Sequence, residues 1–177
     1  MSSHQFDVLI GEDRLAARIR ELGREISEVY RGEPLTLVCI LKGSFLFMAD
    51  LARAIEGDVR VEFLGVASYD GVASSGAVQI THDLRQSIEG RHCLLVEDIV
   101  DTGLTLSFLL ETMRLRSPAS LRVASLLDKP SRRKVEVPID YVGFQIEDVF
   151  VIGYGLDLDQ RYRNLPYVGI YEPPDAT

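Results

Sequence analysis

Leu15, Ile19, Leu22, Ile26 and Val29 recur at steps of four and three. That spacing lines up one face of an α-helix, so the chain after Asp13 is expected to form an amphipathic helix ending near Gly32. An unbroken apolar run, Leu37 to Leu41, follows and reads as a buried strand. Ser44 then stands where a helix N-cap belongs, ahead of a buried face of Phe45, Met48, Ala49, Ala52 and Ile55. Val59, Val61 and Phe63 alternate with polar residues, which is the period of a strand. The order is strand, helix, strand.

From Ser68 to Gly76 glycine and serine replace the periodic apolar residues, no core face can be drawn, and a mobile loop is expected. Cys93 to Val96 form a second apolar strand, and Leu106, Leu109, Leu110 and Met113 mark one face of a helix that Ser117 and Pro118 end. Leu121 to Leu127 is another apolar strand, with shorter strand-like pieces at Tyr141 to Phe144, Val149 to Ile152 and Tyr167 to Tyr171. Continuous apolar strands alternating with helices predict an α/β fold, a largely parallel sheet covered by helices.

Composition narrows the classes. A chain of 177 residues, 46% hydrophobic and 26% charged, suits one core, so a single globular domain over 1–177 is expected. No apolar run approaches the roughly 20 residues that span a bilayer, and the N-terminus lacks the basic-then-apolar layout of a signal peptide, which leads to the expectation of a cytoplasmic protein. Cys39 and Cys93 each lie inside an apolar run and share no metal-site spacing, so both are expected to be buried and reduced. A net charge of -8 disfavours nonspecific attraction to nucleic acid or to an anionic membrane.

The candidate chemistry is concentrated in Leu94 to Leu106, an apolar strand, an acidic pair and a short polar loop that opens a helix. Open parallel sheets bind ligands beyond the carboxyl ends of their strands. Thr102, Gly103, Leu104 and Thr105 would present main-chain N–H groups and two hydroxyls at a helix N-terminus, a natural cradle for a phosphate. Glu97, Asp98 and Asp101 stand beside it. Three acids there call for a bound cation: magnesium carried by a polyphosphate, together with a transition state that builds positive charge on a sugar carbon. A lone Asp-Thr-Gly would be read as a solvated helix cap; the whole string is more specific.

That string resembles the phosphoribosyl pyrophosphate (PRPP) signature of type I phosphoribosyltransferases, and further matches from Leu41 to the C-terminus resemble the hypoxanthine-guanine group. The resemblance implies a parallel sheet with a small hood and a lid, and a magnesium-dependent transfer of the phosphoribosyl group of PRPP to hypoxanthine or guanine, giving IMP or GMP and pyrophosphate. Leu41-Lys42-Gly43-Ser44 resembles the pyrophosphate loop, in which the Lys-Gly peptide is reported as cis. Ser68-Tyr69 and the stretch after them resemble the lid. Lys129, ending Leu126-Leu127-Asp128-Lys129, matches the lysine that donates to the oxygen on C6 of the purine. Phe150 matches the residue that stacks on the base, Val151 one whose backbone meets the ring edge, and Arg163 an arginine that contacts pyrophosphate. Glu97 and Asp98 match metal-binding carboxylates near the ribose hydroxyls, Asp157 one that helps hold the magnesium, and Asp101 the acceptor of the proton near N7. Leu104 and Val149 depart from relatives that carry lysine there. Family analogy further implies a homodimer or homotetramer.

Three rivals are weighed against this. A noncatalytic nucleotide- or RNA-binding regulator on the same fold would need a basic face, which the charge of -8 opposes. A phosphate-accepting receiver domain would carry its acidic pair after the first strand, whereas here the acids arrive midway. An adenine-specific transferase is opposed by Lys129.

Overall fold

The computed structural model describes residues 6–68 and 78–173. Along the chain these form β1 (Asp7–Ile10), α1 (Glu12–Val29), β2 (Leu35–Leu41), α2 (Phe45–Ala54), β3 (Val59–Ser68), β4 (Val78–His82), β5 (His92–Val100), α3 (Leu104–Arg114), β6 (Ser120–Asp128), a 3-10 turn (Pro130–Arg132), β7 (Tyr141–Gln145), β8 (Val151–Ile152) and β9 (Val168–Ile170). Six strands make one sheet in the order β4-β3-β2-β5-β6-β7. Its neighbours pair in parallel except for β4, which runs antiparallel to β3 at one edge. The remaining strands, β1-β9-β8, form a small antiparallel hood.

The unbroken apolar runs have a simple cause: side chains of a strand alternate between faces, and both faces of this sheet are covered. Leu35, Leu37 and Cys39 of β2 pack with Leu94 and Val96 of β5 in the core under α1 and α2. Val38 and Ile40 pack with Cys93 and Leu95 in the core under α3. Both cysteines are buried and free, as expected.

Helix α1 buries Leu15, Ile19, Leu22 and Ile26, as the periodicity predicts, but Val29 is exposed and Tyr30 closes the stripe instead. Gly23 lies where α1 meets α2, and a Cβ on it would run into Ala54. Arg18 ties α1 to the far edge of the sheet by donating from its guanidinium to the carbonyls of Val142 at 2.9 Å and Gly143 at 3.2 Å.

In α2 the expected face is rotated. Phe47, Met48 and Leu51 are buried, while Phe45 is 40% exposed. Ser44 occupies the N-cap position without capping, since its hydroxyl donates back to the Ile40 carbonyl at 2.6 Å. On β3 the apolar residues Val61 and Phe63 are exposed, and the residues turned inward are Glu62 and Leu64. The cis peptide also differs from expectation: it joins Leu41 to Lys42, one bond earlier than Lys42-Gly43. Most of the expected lid, with Tyr69, lies outside the described residues; Ser68 is the last residue of β3 and pairs with Val78.

Candidate active site

Strand β5 is longer than its apolar run predicts. It continues through Glu97 and Asp98 to Val100, so the acidic pair belongs to the strand itself and only Asp101 to Gly103 form the turn. Pairing with β6 explains the extension: Glu97 sits opposite Ser125 and Val100 opposite Asp128, and the Lys129 N–H continues the ladder by donating to the Val100 carbonyl at 3.0 Å. The consequence is burial of acid. Glu97 is 6% exposed, and its carboxyl is held well above the usual carboxylate range, first by burial and then by the charge of Asp98. Asp98 is pushed up to about 6, again mainly by burial, partly offset by the Ile99 N–H that donates to its Oδ1 at 2.8 Å and by the charge of Arg163.

Gly103 sits before α3 with φ of 83°, and a Cβ there would strike the Val135 carbonyl. Only glycine fits both restrictions. The first N–H groups of α3 have no partners within the helix, and they face a cavity of about 90 Å³ lined by Glu97, Ile99, Val100, Asp101, Thr102, Gly103, Thr105 and Leu106. A second set of residues, absent from any motif, fixes this turn from below. The main-chain N–H groups of Lys134 and Val135 donate to the Thr102 carbonyl at 2.9 and 3.1 Å. Arg133 donates to the Asp101 carbonyl at 2.7 Å and forms a largely buried ion pair with Asp128.

Gly43 is wedged between two of these features. A Cβ on it would overlap the Asp98 carboxylate, and a Cβ on Gly155 would strike the Gly43 carbonyl. The loop after β2, the acidic pair of β5 and the turn at Gly155 therefore meet with no room for side chains. Lys42 and Arg163 converge on one oxygen: Lys42 Nζ and Arg163 both donate to Gln160 Oε1, at 3.2 and 3.1 Å. Arg163 also donates to the Gly155 carbonyl at 2.6 Å and pairs with Asp157 at 2.8 Å.

On the other side of Asp101 stands a half-open aromatic surface. Phe150 is 52% exposed and packs edge-on against Tyr171, at 5.8 Å between ring centroids. Val151 beside it is buried in β8. Lys129 is not the exposed strand-end lysine that its position suggests: it is 7% exposed, with Nζ donating to the Val149 carbonyl at 2.6 Å. Leu104 is exposed on the first turn of α3.

The structure thus gathers Lys42, Gly43, Glu97, Asp98, Asp101, Thr102, Gly103, Thr105, Lys129, Phe150, Val151, Asp157 and Arg163 around the carboxyl ends of β2, β5 and β6 and the start of β8. Among the described residues, no group of three donor side chains lies close enough to hold a metal ion by itself. Asp157 is engaged instead by Arg163 and by the Gln160 N–H, which donates to it at 2.8 Å. Magnesium does not require such a cage, because it commonly takes one or two carboxylates and completes its shell with substrate oxygens and water. Buried Glu97 and the partly buried Asp98 next to it fit that demand.

Comparison with known proteins agrees with this geometry. Residues 11–159 match the family described as phosphoribosyl transferase domain. The hypoxanthine phosphoribosyltransferase of Haemophilus influenzae is 50% identical over 173 residues, covering 96% of this chain and 97% of its own. The hypoxanthine-guanine phosphoribosyltransferase of Bacillus subtilis is 45% identical over 98% of this chain and 97% of its own length. A crystal structure of a hypoxanthine-guanine phosphoribosyltransferase from Bacillus anthracis superimposes with a TM-score of 0.91 at 41% identity, covering 95% of this chain and all of that one. With a signature turn, a parallel α/β sheet and a hood that all correspond, this chain belongs to the phosphoribosyltransferase family.

Proposed function

We propose that this protein is a purine-salvage transferase that moves the 5-phosphoribosyl group of PRPP to hypoxanthine or guanine, releasing pyrophosphate. The observation that carries the reading is the meeting, at the ends of β5 and β6, of a buried and a partly buried acid, a glycine-bearing phosphate turn and a buried lysine beside an open aromatic face.

Each group has a task that its surroundings support. The Asp101 to Thr105 turn takes the 5-phosphate on main-chain donors, with Leu104 offering only its backbone. Lys42, Gly43 and Arg163 take the pyrophosphate. Gln160 Oε1 stands between the two cations where an anionic oxygen would sit. Phe150 stacks on the purine, the Val151 backbone meets the ring edge, and Lys129 donates to the oxygen on C6. An amino group at C6 offers no acceptor, so one N–H of the buried lysine would face a donor in adenine.

Glu97, Asp98 and Asp157 would hold magnesium, which when bound would supply positive charge for the pyrophosphate oxygens. The bond from C1 of ribose to pyrophosphate breaks with its electron pair going to oxygen. Positive charge on C1 and the ring oxygen is met by the acids of β5. The C1–N9 bond forms, and the displaced proton near N7 passes to the Asp101 carboxylate. Ser68 and Tyr69 would close over the reacting centre and exclude water, because hydrolysis of PRPP otherwise competes. The protein is proposed to act in the cytoplasm as a homodimer or homotetramer. Among the described residues, no helix is long and apolar enough to cross a membrane.

The Asp101→Asn variant tests the assignment. GMP formation from guanine and PRPP is expected to fall roughly 100- to 10,000-fold. An unchanged rate and pH profile would remove Asp101 from the mechanism.

A further inference from the structure

The 3-10 turn after β6 carries two adjacent arginines with different surroundings. Arg133 is largely buried and braces the main chain of the phosphate turn through the Asp101 carbonyl and Asp128. Arg132 points the other way. Its Nε donates to Asp101 Oδ1 at 3.0 Å, and another nitrogen of the same guanidinium donates to Asp148 Oδ2 at 3.4 Å. The other oxygen of Asp148 lies 3.8 Å from Lys129 Nζ. Four alternating charges, Asp101, Arg132, Asp148 and Lys129, therefore run across the mouth of the base pocket, from the turn after β5 to the segment entering β8.

The magnitudes separate a stabilising role from a positioning one. The Arg132 and Asp101 side chains are 47% and 38% exposed. Ion pairs so open to water contribute little or nothing to folding. What a planar guanidinium does well is fix two acceptors at a set distance and angle. Here the two acceptors sit on separate loops: one bears the carboxylate proposed above to take the proton near N7, the other leads directly into Phe150 and Val151. Asp101 Oδ2 makes no hydrogen bond among the described residues, so the fastening leaves one oxygen of that carboxylate available.

We propose that Arg132 is a positioning residue, resting on the function proposed above: it clamps Asp101 and Asp148 to one guanidinium and so sets where the proton acceptor stands over the base platform of Phe150 and Lys129. It touches neither PRPP nor purine itself. The phosphate turn keeps its separate support from Arg133, Lys134 and Val135, so binding of PRPP does not depend on Arg132.

The test compares Arg132→Met and Arg132→Lys with the wild type in steady-state GMP synthesis, together with thermal unfolding of each. In Arg132→Met, kcat/KM for guanine is expected to fall roughly 10- to 100-fold, since a small misplacement of a reacting group costs up to about that much. The KM for PRPP should stay within about twofold and the melting temperature within a few degrees. Arg132→Lys, which restores the charge without the fork, should recover part of the loss. Arg132→Met with wild-type kcat/KM for guanine overturns the proposal. So does a loss shared equally by the KM for PRPP and the melting temperature, which would mark a general structural role. A wild-type protein that makes no nucleotide overturns the underlying function and this proposal with it, whereas an active wild type with an unaffected variant overturns this proposal alone.

Discussion

Asp98 illustrates how a residue can be unfavourable for the fold and still suit the role proposed for it at the site. Its carboxyl is pushed up to about 6 from an ordinary 3.8. Below pH 4 both folded and unfolded chains hold the proton and nothing is lost. Between about pH 4 and 6 the unfolded chain ionises while the folded carboxyl keeps its proton, so stability declines across that window and stays lower above it. The shift corresponds to a cost on the order of 3 kcal/mol at neutral pH. Asp98→Asn is therefore expected to melt several degrees higher than the wild type at pH 7 and no higher at pH 4, measured by calorimetry without ligand, while losing activity. Equal melting temperatures at both pH values would contradict this account of the site. At this scale the motif residues were legible because each has a distinctive type at a distinctive spacing. Burial was not, since whether Lys129 ends a strand in water or under the hood depends on the Val149 carbonyl, twenty residues away. Arg132 and Arg133 escaped for the same reason: no local pattern marks an arginine whose partner is 31 or 32 residues back.

At the scale of elements, α1 and α3 were predicted nearly to their ends because amphipathic periodicity over three or more turns is a strong signal. Helix α2 was placed correctly but turned, since ten mostly apolar residues define no clear stripe. Strands β1 and β4, four and five residues long, went unpredicted because such short pieces are held by their partners rather than by their own alternation. Strand β5 overran its apolar run because a ladder with β6 can carry acids where a ligand site needs them. The junction from β5 to α3 is the element on which function turns, and Gly103 is its tightest point. Gly103→Ala would impose a left-handed backbone on alanine and press a methyl group into the Val135 carbonyl. A loss of about 1 to 3 kcal/mol in unfolding free energy is expected by urea titration. GMP binding, followed by calorimetric titration, should weaken as well. Unchanged GMP affinity would mean that the phosphate is held elsewhere.

For the whole molecule, the sheet has helices on both faces, and the loops that carry chemistry emerge together at the carboxyl ends of its strands, where an α/β sheet opens to ligands. The α/β class was readable from the alternation of apolar runs and helices. The strand order β4-β3-β2-β5-β6-β7 and the assembly of β1, β9 and β8 into a hood were not, because they arise from pairings between distant parts of the chain. On the function proposed above the hood would matter for selectivity, since Phe150 and Val151 come from it or its approach and Lys129 directly follows β6 of the main sheet. The most direct measurement is a spectrophotometric assay of the wild-type protein with PRPP and magnesium and, in turn, hypoxanthine, guanine and adenine, with pyrophosphate counted in each reaction. Hypoxanthine and guanine should each yield one nucleotide per pyrophosphate, at rates far above adenine. No nucleotide from either 6-oxopurine, or adenine converted as readily as they are, would contradict the account.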